Sequence, residues 1–403
     1  MKRLFLVVVV LIFLGTCAWA QDVSDLSALK SDPEKYAKAV SDMVSNAIKQ
    51  NDLSTALGLL DYFDAFPICP EAARCRYDLA VELNKQQDYQ TAAELLQKNV
   101  DTDPWGREGP QSIELLTDIL ARVYQRNDDA EYLLKQLAVY YYQEIPSVVR
   151  ARDKLGTKLP IIPSNKMILL DATLGESRIC DRCAIGSCNF GQFEVIKILV
   201  EAGYVVHSND TIPRGQPNPR MLADYGLIIM NNKYGGTSEP PIPQATIDAL
   251  TNYVRAGGNL LIISSGSSGE GKTSNFYNPL VGCFGLRFAE GTAIVSTDCI
   301  GRQHIEGTEA PSTGKPPGPN PAKLSDFYIT GGTYVSSSSG TVLGCYDNQP
   351  VIVAAEYGKG KVIAAGIGSA LLGGPMCRLG KPEVAEMGKN LLLNLTAYLL
   401  SGR

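Results

Sequence analysis

Apolar residues recur at helical spacing along the first part of the chain, from about residue 25 to residue 155. In the clearest stretch, a first helix has its apolar face at three positions, Leu79, Ala80 and Leu83. A second helix follows after a short polar turn and has Ala92 and Leu96 on its apolar face, with Pro104 closing the unit. The pattern predicts a pair of antiparallel helices whose alanines allow close crossing.

The same region contains two further segments whose apolar spacing predicts this helix pair. The upstream copy has its apolar positions at Met43, Val44, Ala47, Ala56, Leu60 and Phe63, and a looser third copy runs from Ile113 through Leu137 to Pro146. These spacings resemble tetratricopeptide repeats, although Asn99 stands where the pattern expects a small or apolar residue. The resemblance implies a surface that binds a protein or peptide partner. The alternative is a plain helical bundle that supports the next domain.

The hydrophobic period changes after a Pro-containing segment at 156–166, which we interpret as a linker. Short apolar runs (MILLDA, YVV, YGLIIM and NLLIIS) then alternate with amphipathic helices near 190–202 and 247–255. This alternation predicts an α/β domain with a mostly parallel sheet over 167–403. Strand-like runs at 286–368 predict an antiparallel extension, and 390–400 predicts a closing helix.

Several sequence segments of this second domain resemble the class I glutamine-amidotransferase-like superfamily, in particular its divergent, ThuA-like and non-catalytic branch. They are LLDATLGE, EVIKILVEAGYVV, LADYGLIIMNN, IDALTNYVRAGGNLLIISSGS, NPLVGCFGLRF and VIVAAEYGKGKVIAAGIGSALL. The resemblance implies a flavodoxin-like fold whose site lies at the carboxyl ends of the parallel strands. The fold class expected for the whole chain is therefore multidomain, a helical repeat followed by a flavodoxin-like α/β domain.

The catalytic residues of an amidotransferase are absent from the expected positions. The turn after the IIM strand begins with Asn231 and Asn232 and contains no cysteine. The two histidines, His207 and His304, do not stand where the family's general base would be. We therefore expect no catalytic residue of this family and no cofactor.

Polar residues at the predicted strand ends are the candidates for binding a ligand. They are Asp171, Glu176, Asn231, Asn232, Ser265 and Gly266. A hydrolase that uses Asp171 or Glu176 is the alternative interpretation. Since acids at strand ends commonly act as caps and turn formers, the binding interpretation is preferred.

Residues 266–273, GSSGEGKT, match the Walker A pattern of phosphate-binding loops and follow a predicted strand. Pro279 argues against this interpretation, because a true phosphate-binding loop runs directly into a continuous helix. A convincing magnesium-binding aspartate also does not follow. Nucleotide binding by this loop is therefore the least favoured function.

The first 20 residues have the three parts of a secretory signal peptide. Lys2 and Arg3 precede the apolar run Leu4–Leu14, and Ala18-Trp19-Ala20 offers a cleavage site. Cleavage would leave 35 basic against 42 acidic residues and no further membrane-spanning stretch. Such an acidic chain is a poor candidate for binding nucleic acid. We expect a periplasmic or extracellular protein.

The chain has ten cysteines, which an oxidising compartment favours as disulfides. The candidate members are Cys69, Cys75, Cys180, Cys183, Cys188 and Cys377. Cys69 and Cys75 are expected to form one bridge, and the other four are expected to form two bridges near the site. A structural zinc bound by Cys180, Cys183, Cys188 and Cys377 is the alternative. The sequence thus favours an exported, non-catalytic scaffold or ligand-binding protein.

Overall fold

Helices fill the first part of the chain in the computed structural model. The structure describes residues 26, 29, 33–64, 70–102, 104–171, 191–209, 219–232, 242–264, 273–289, 299–303, 325–329, 332–367 and 382–401. Seven of its described α-helices precede the first strand. They are α1 (Pro33–Lys49), α2 (Leu53–Leu60), α3 (Pro70–Lys85), α4 (Tyr89–Thr102), α5 (Gly109–Arg122), α6 (Asn127–Tyr140) and α7 (Pro146–Leu155).

The turns inside the helix pairs share one backbone conformation, a left-handed residue after the first helix. Asn51, Gln87 and Gln125 each follow the first helix of a pair with a positive φ, between 57° and 67°. In the first two turns the next residue is an aspartate, Asp52 or Asp88, whose carboxylate accepts a hydrogen bond from the backbone N–H three residues on. A left-handed residue therefore ends one helix, and a capping side chain begins the next.

The apolar positions that the sequence pattern selected are buried in these helices. Leu79, Ala80, Ala92 and Leu96 are fully buried, where α3 packs on α4. The equivalent positions of the upstream copy are buried where α1 packs on α2. The predicted helices are confirmed, whereas the tetratricopeptide likeness stays a prediction.

Asn99 is the polar exception in this pattern, and the structure gives its reason. Its side chain is 1% exposed and donates to the Ala73 carbonyl at 2.8 Å and to Ser112 Oγ at 3.2 Å. Its Oδ1 accepts a hydrogen bond from Nη1 of the buried Arg76 at 3.4 Å. Asn99 thus connects α3, α4 and α5 through polar contacts instead of apolar packing.

The chain divides into two compact units, and in the described residues the division falls between Arg126 and Asn127. Helices α6 and α7 therefore group with the sheet-containing unit, although their spacing continues the helical pattern. The domain limits expected from sequence, 25–155 and 167–403 around a linker at 156–166, remain a prediction.

The second unit contains a nine-stranded mixed sheet in the order β2-β1-β3-β4-β11-β10-β9-β6-β7 and a two-stranded sheet, β5-β8. Its strands are β1 (Met167–Asp171), β2 (Val205–Ser208), β3 (Leu227–Asn232), β4 (Asn259–Ser264), β5 (Leu286–Phe288), β6 (Cys299–Gln303), β7 (Ser325–Ile329), β8 (Val335–Ser337), β9 (Thr341–Tyr346), β10 (Gln349–Tyr357) and β11 (Gly360–Ala365). The first five strands in that order are parallel, and the other four continue the sheet antiparallel. The expected parallel sheet with an antiparallel extension is confirmed.

The remaining described helices are α8 (Gly191–Glu201), α9 (Pro219–Leu222), α10 (Gln244–Ala256), α11 (Thr273–Val281) and α12 (Pro382–Leu400). Helices α8 and α12 contact each other, whereas α9, α10 and α11 form a separate row of neighbours. The expected helices near 190–202, 247–255 and 390–400 are present, the last one starting eight residues earlier than expected.

The side chain of Asn259 fixes three parallel strands at their amino ends. Its Nδ2 donates to the Gly226 carbonyl at 2.9 Å, and its Oδ1 accepts from the Lys361 N–H at 3.0 Å. Since Asn259 begins β4, these bonds connect the start of β4 to the residue before β3 and to β11. One side chain therefore holds the amino ends of β3, β4 and β11 together.

The expectation that Pro279 would interrupt the helix after residues 266–273 is wrong. Helix α11 contains Pro279 in its last turn. The proline removes one hydrogen bond close to a helix end, where the loss is small. The neighbouring Asn278 also holds this turn in place, because its amide accepts from the Phe288 N–H at 2.9 Å and donates to the Phe288 carbonyl at 3.1 Å.

Among the described helices, none combines the length and the apolar character that crossing a bilayer requires.

We expect Ala92→Phe to lower the free energy of unfolding by about 1–3 kcal/mol, because Ala92 is fully buried where α4 packs on α3. The matched control is Gln97→Phe, at an exposed position of the same helix. Urea unfolding of the full chain measures both. An Ala92→Phe protein that unfolds at the wild-type urea concentration would show that these two helices do not pack closely.

Candidate functional site

The carboxyl ends of the parallel strands lie together at one edge of the sheet. The chain leaves β1 for β2 on one side, whereas β3 lies on the other side of β1. A ligand commonly binds at such a switch point in an open α/β sheet. Asp171 ends β1, Asn209 follows β2, and Ser264 ends β4 at this edge.

Asp171 and Asn209 form a buried polar pair at this edge. Asn209 Nδ2 donates to Asp171 Oδ1 at 2.7 Å, and the two residues are 1% and 5% exposed, respectively. The Asn209 N–H also lies 3.4 Å from the Leu170 carbonyl, so the backbone after β2 continues alongside β1. Backbone pairing and a side-chain hydrogen bond together hold the carboxyl group in one place.

Tyr142, in the connection between α6 and α7, is close enough to Asp171 for the two side chains to interact electrostatically. Its ring is buried, and its hydroxyl contacts Met221 Sδ at 3.9 Å and Glu144 Oε2 at 3.4 Å. Burial raises the pKa of Tyr142 far above its usual value, and the nearby carboxylates of Glu144 and Asp171 raise it further. The phenol therefore stays protonated and can donate to Glu144 or Met221.

Ser264 lies on the same face of the sheet as Asp171. Asp171 is in register with Met230, Met230 with Ile262, and Ser264 follows Ile262 by two residues. Side chains alternate between the faces of a strand, so positions two apart share a face. Ser264 is fully buried, and its hydroxyl makes no hydrogen bond to the described residues.

His207 connects the sheet to the end of α6. Its ring is 1% exposed, with Nε2 2.7 Å from the Val139 carbonyl and Nδ1 2.8 Å from the Tyr225 hydroxyl. A carbonyl can only accept, so Nε2 carries the proton, and in the neutral ring Nδ1 accepts from Tyr225. Burial lowers the pKa of His207 to about 4. Burial also raises the pKa of Tyr225 well above its usual value.

The last turn of α6 has a second partner in α7. Arg152 Nη1 donates to the Ala138 carbonyl at 3.1 Å. The last four carbonyls of any helix lack partners within the helix, so His207 and Arg152 each satisfy one of these groups. The last turn of α6 is therefore attached to β2 by His207 and to α7 by Arg152.

The structure describes only part of the predicted site. Asp171 ends a buried strand as expected, and Asn231 and Asn232 form the carboxyl end of β3. Glu176, Ser265 and Gly266 lie outside the described residues, as do most of loop 266–273 and the cysteines Cys69, Cys180, Cys183, Cys188 and Cys377. The sequence interpretation missed Asn209, Tyr142 and the role of His207. The one signal in the sequence was that His207 directly follows the apolar strand residues Val205 and Val206, which indicates a buried histidine that needs hydrogen-bond partners.

Cys75 is the described member of the expected Cys69–Cys75 bridge. Its thiol is free and buried and lies 3.4 Å from Ser41 Oγ. Burial raises the pKa of the Cys75 thiol to about 11. Cys75 is therefore unbridged in this structure, and the bridge to Cys69 stays a prediction for protein taken from an oxidising compartment.

No family model matches the chain, and no curated protein matches it. Solved structures give weak similarities. The N-terminal domain of mmIFT52 is 15% identical over 59% of this chain and 98% of that one, with a TM-score of 0.39. The cytoplasmic protein STM3548 from Salmonella typhimurium is 15% identical over 52% of this chain and 87% of that one, with a TM-score of 0.38. These similarities identify no family or function for this chain.

We expect Asn209→Leu to destabilise the protein by about 1–3 kcal/mol, because it removes the amide donor from the buried Asp171 carboxyl group. The neighbouring Ser208→Ala is the control, since the Ser208 hydroxyl has no hydrogen-bond partner among the described residues. Urea unfolding measures both variants. Equal unfolding midpoints for the two would show that the Asp171–Asn209 bond is unimportant for stability.

Proposed function

We propose that the protein is a non-catalytic, exported binding protein whose α/β unit holds a small polar ligand or another subunit at the carboxyl ends of β1 and β2. The Asp171–Asn209 pair carries this proposal, because it fixes a carboxyl group at the end of β1, the strand that borders the switch point between β1 and β3. The strand order β2-β1-β3-β4-β11 is compatible with the flavodoxin-like, amidotransferase-like fold that the sequence phrases suggest.

The polarity of the buried edge supports binding rather than a purely structural role. Apolar side chains would stabilise a buried strand end at no cost in desolvation, whereas a carboxyl group needs partners there. Asp171, Asn209 and Tyr142 supply an acceptor, an amide and a phenol donor within one region. Such a set suits a ligand that carries both hydroxyl or amino donors and carbonyl or hydroxyl acceptors.

The helical unit is proposed to bind a protein or peptide partner. Its residues from 21 to 126 include 18 acidic and 11 basic side chains, a net charge of −7, whereas residues 127–403 include 24 of each and are neutral. The acidic excess of the mature chain therefore lies in the helical unit. This distribution favours a partner with a basic contact surface.

One observation supports a second candidate function, phosphate binding by residues 266–273. These residues join the central strand β4 to α11, which is the strand–loop–helix context that a Walker A sequence requires. The hydrolase alternative depends on Glu176 as much as on Asp171. No contact of the described residues supports it in the way that the flanking strand and helix support phosphate binding.

We expect the mature protein to bind one class within a panel of monosaccharides, free amino acids and Mg·ATP, measured by isothermal titration calorimetry. Asp171→Asn should weaken that binding at least tenfold while leaving the fold intact, because an asparagine oxygen still accepts from Asn209. Lys272→Ala is the control and should leave binding unchanged.

Three results would contradict the proposal. If Asp171→Asn bound the ligand with full affinity, the site would not lie at the end of β1. Mg·ATP binding that disappears in Lys272→Ala would establish the phosphate-loop alternative. Turnover of ester, amide or glycoside substrates that disappears in Asp171→Asn would establish the hydrolase.

A further inference from the structure

Helix α7 contacts α6 and buries one of its faces, whereas its other face is exposed. The exposed face carries Val149, which is 42% exposed, together with Arg150 and, one turn later, Lys154. The buried positions recur at helical spacing between these and are Ser147, Val148, Ala151 and Leu155. The exposed face of α7 thus presents an apolar side chain beside two basic ones.

The chain after α7 presents Ile161, which at 96% is the most exposed large apolar side chain of the described residues. Leu159 and Pro163, on either side, have polyproline II backbone angles, with φ near −65° and ψ between 125° and 140°. Since Pro160 and Pro163 restrict this backbone, Ile161 has little conformational freedom left to lose when a partner covers it. We call the exposed side chains of Val149, Arg150, Lys154, Lys158 and Ile161 the α7 surface.

The α7 surface lies in a basic stretch of an otherwise acidic unit. Residues 146–166 include five basic side chains and one acidic side chain, a net charge of +4, whereas residues 127–403 as a whole are neutral. Lys158 forms an ion pair with Glu131 of α6 at 2.8 Å, but Lys135 shares the same carboxylate at 2.9 Å. The stretch therefore keeps a basic excess, which favours an acidic partner.

The helical unit offers the opposite charge on the exposed face of α4. Glu94 and Asp101 each accept a hydrogen bond from an exposed glutamine of the same helix. Neither forms an ion pair with a basic residue of the described chain, whereas the neighbouring Lys98 is paired with Asp64 at 2.9 Å. A basic surface therefore finds two carboxylates on α4 without displacing an existing ion pair.

We propose that the α7 surface docks on this acidic face of α4 in a second copy of the chain. Val149 and Ile161 then leave water, and Arg150 and Lys154 lie against carboxylates. Because the two faces differ, the copies associate head to tail and build rings or longer chains. This inference rests on the proposed role of the helical unit as the binding surface for a basic partner, and it identifies that partner.

Sedimentation velocity of the full mature chain, over a range of concentrations, measures the association. Ile161→Ser should weaken it by about tenfold or more, because an isoleucine no longer leaves water, and should leave the stability unchanged. Val342→Ser is the matched control, since Val342 is a partly exposed residue of β9 outside the α7 surface. Raising the salt concentration from about 0.05 M to about 0.5 M should also weaken the association, because it screens exposed charges.

A charge exchange tests which two faces meet. Arg150→Glu with Lys154→Glu reverses the α7 surface, and Glu94→Lys with Asp101→Lys reverses the face of α4. Each double variant alone should stay monomeric where the wild type associates, because like charges then face each other. An equal mixture of the two should associate again, which also shows that both variants fold.

Three results would overturn the inference: a wild type that is monomeric even at about 1 mM, equal association of Ile161→Ser and Val342→Ser, or a mixture of the charge variants that does not associate. A lysine-rich peptide tests the proposed function separately. Its binding to the Ile161→Ser chain, measured by calorimetry, should be lost when Glu94→Lys and Asp101→Lys are added. Peptide binding together with a monomeric wild type would overturn the self-association and leave the proposed role of the helical unit intact.

Discussion

The unpaired carbonyls at the end of α6 impose the constraint on which the candidate site depends. A helix that ends against a sheet has to find partners for its last carbonyls, because an unpaired buried carbonyl is costly. Here His207 of β2 and Arg152 of α7 provide those partners. The polar contacts fix where α6 ends, and hence where Tyr142 lies relative to β1.

The candidate site follows from this arrangement together with the strand order. The parallel pairing of β1 with β2 brings their carboxyl ends side by side, so that Asn209 reaches the Asp171 carboxyl group. The Asp171 carboxyl group also interacts electrostatically with Tyr142 of the α6–α7 connection.

The sequence predicted those features that depend on local periodicity. Leu79, Ala92 and Leu96 follow a helical period, and the NLLIIS run forms β4 without any shift in its limits. The partners of polar residues could not be read in this way, because they come from distant parts of the chain. His207 is 68 residues from Val139, and Asn209 is 38 residues from Asp171.

Single residues also misled the sequence interpretation for physical reasons. Pro279 was expected to interrupt a helix, but it occupies the last turn of α11, where few hydrogen bonds remain to be broken. Asn99 departed from the repeat pattern because it binds Arg76 and Ser112 instead of packing as an apolar residue. In both cases the position within the tertiary structure outweighed the residue's usual preference.

The attachment of α6 to the sheet is tested by the tautomer and titration of His207, measured by nitrogen-15 NMR of histidine-labelled protein. The chain contains two histidines, so the spectrum is simple, and His207→Gln identifies the signal of interest. We expect a neutral ring with the proton on Nε2, maintained from neutral pH down to about pH 5. A ring with its proton on Nδ1, or one that titrates near pH 6.5, would show that His207 is not buried between Val139 and Tyr225.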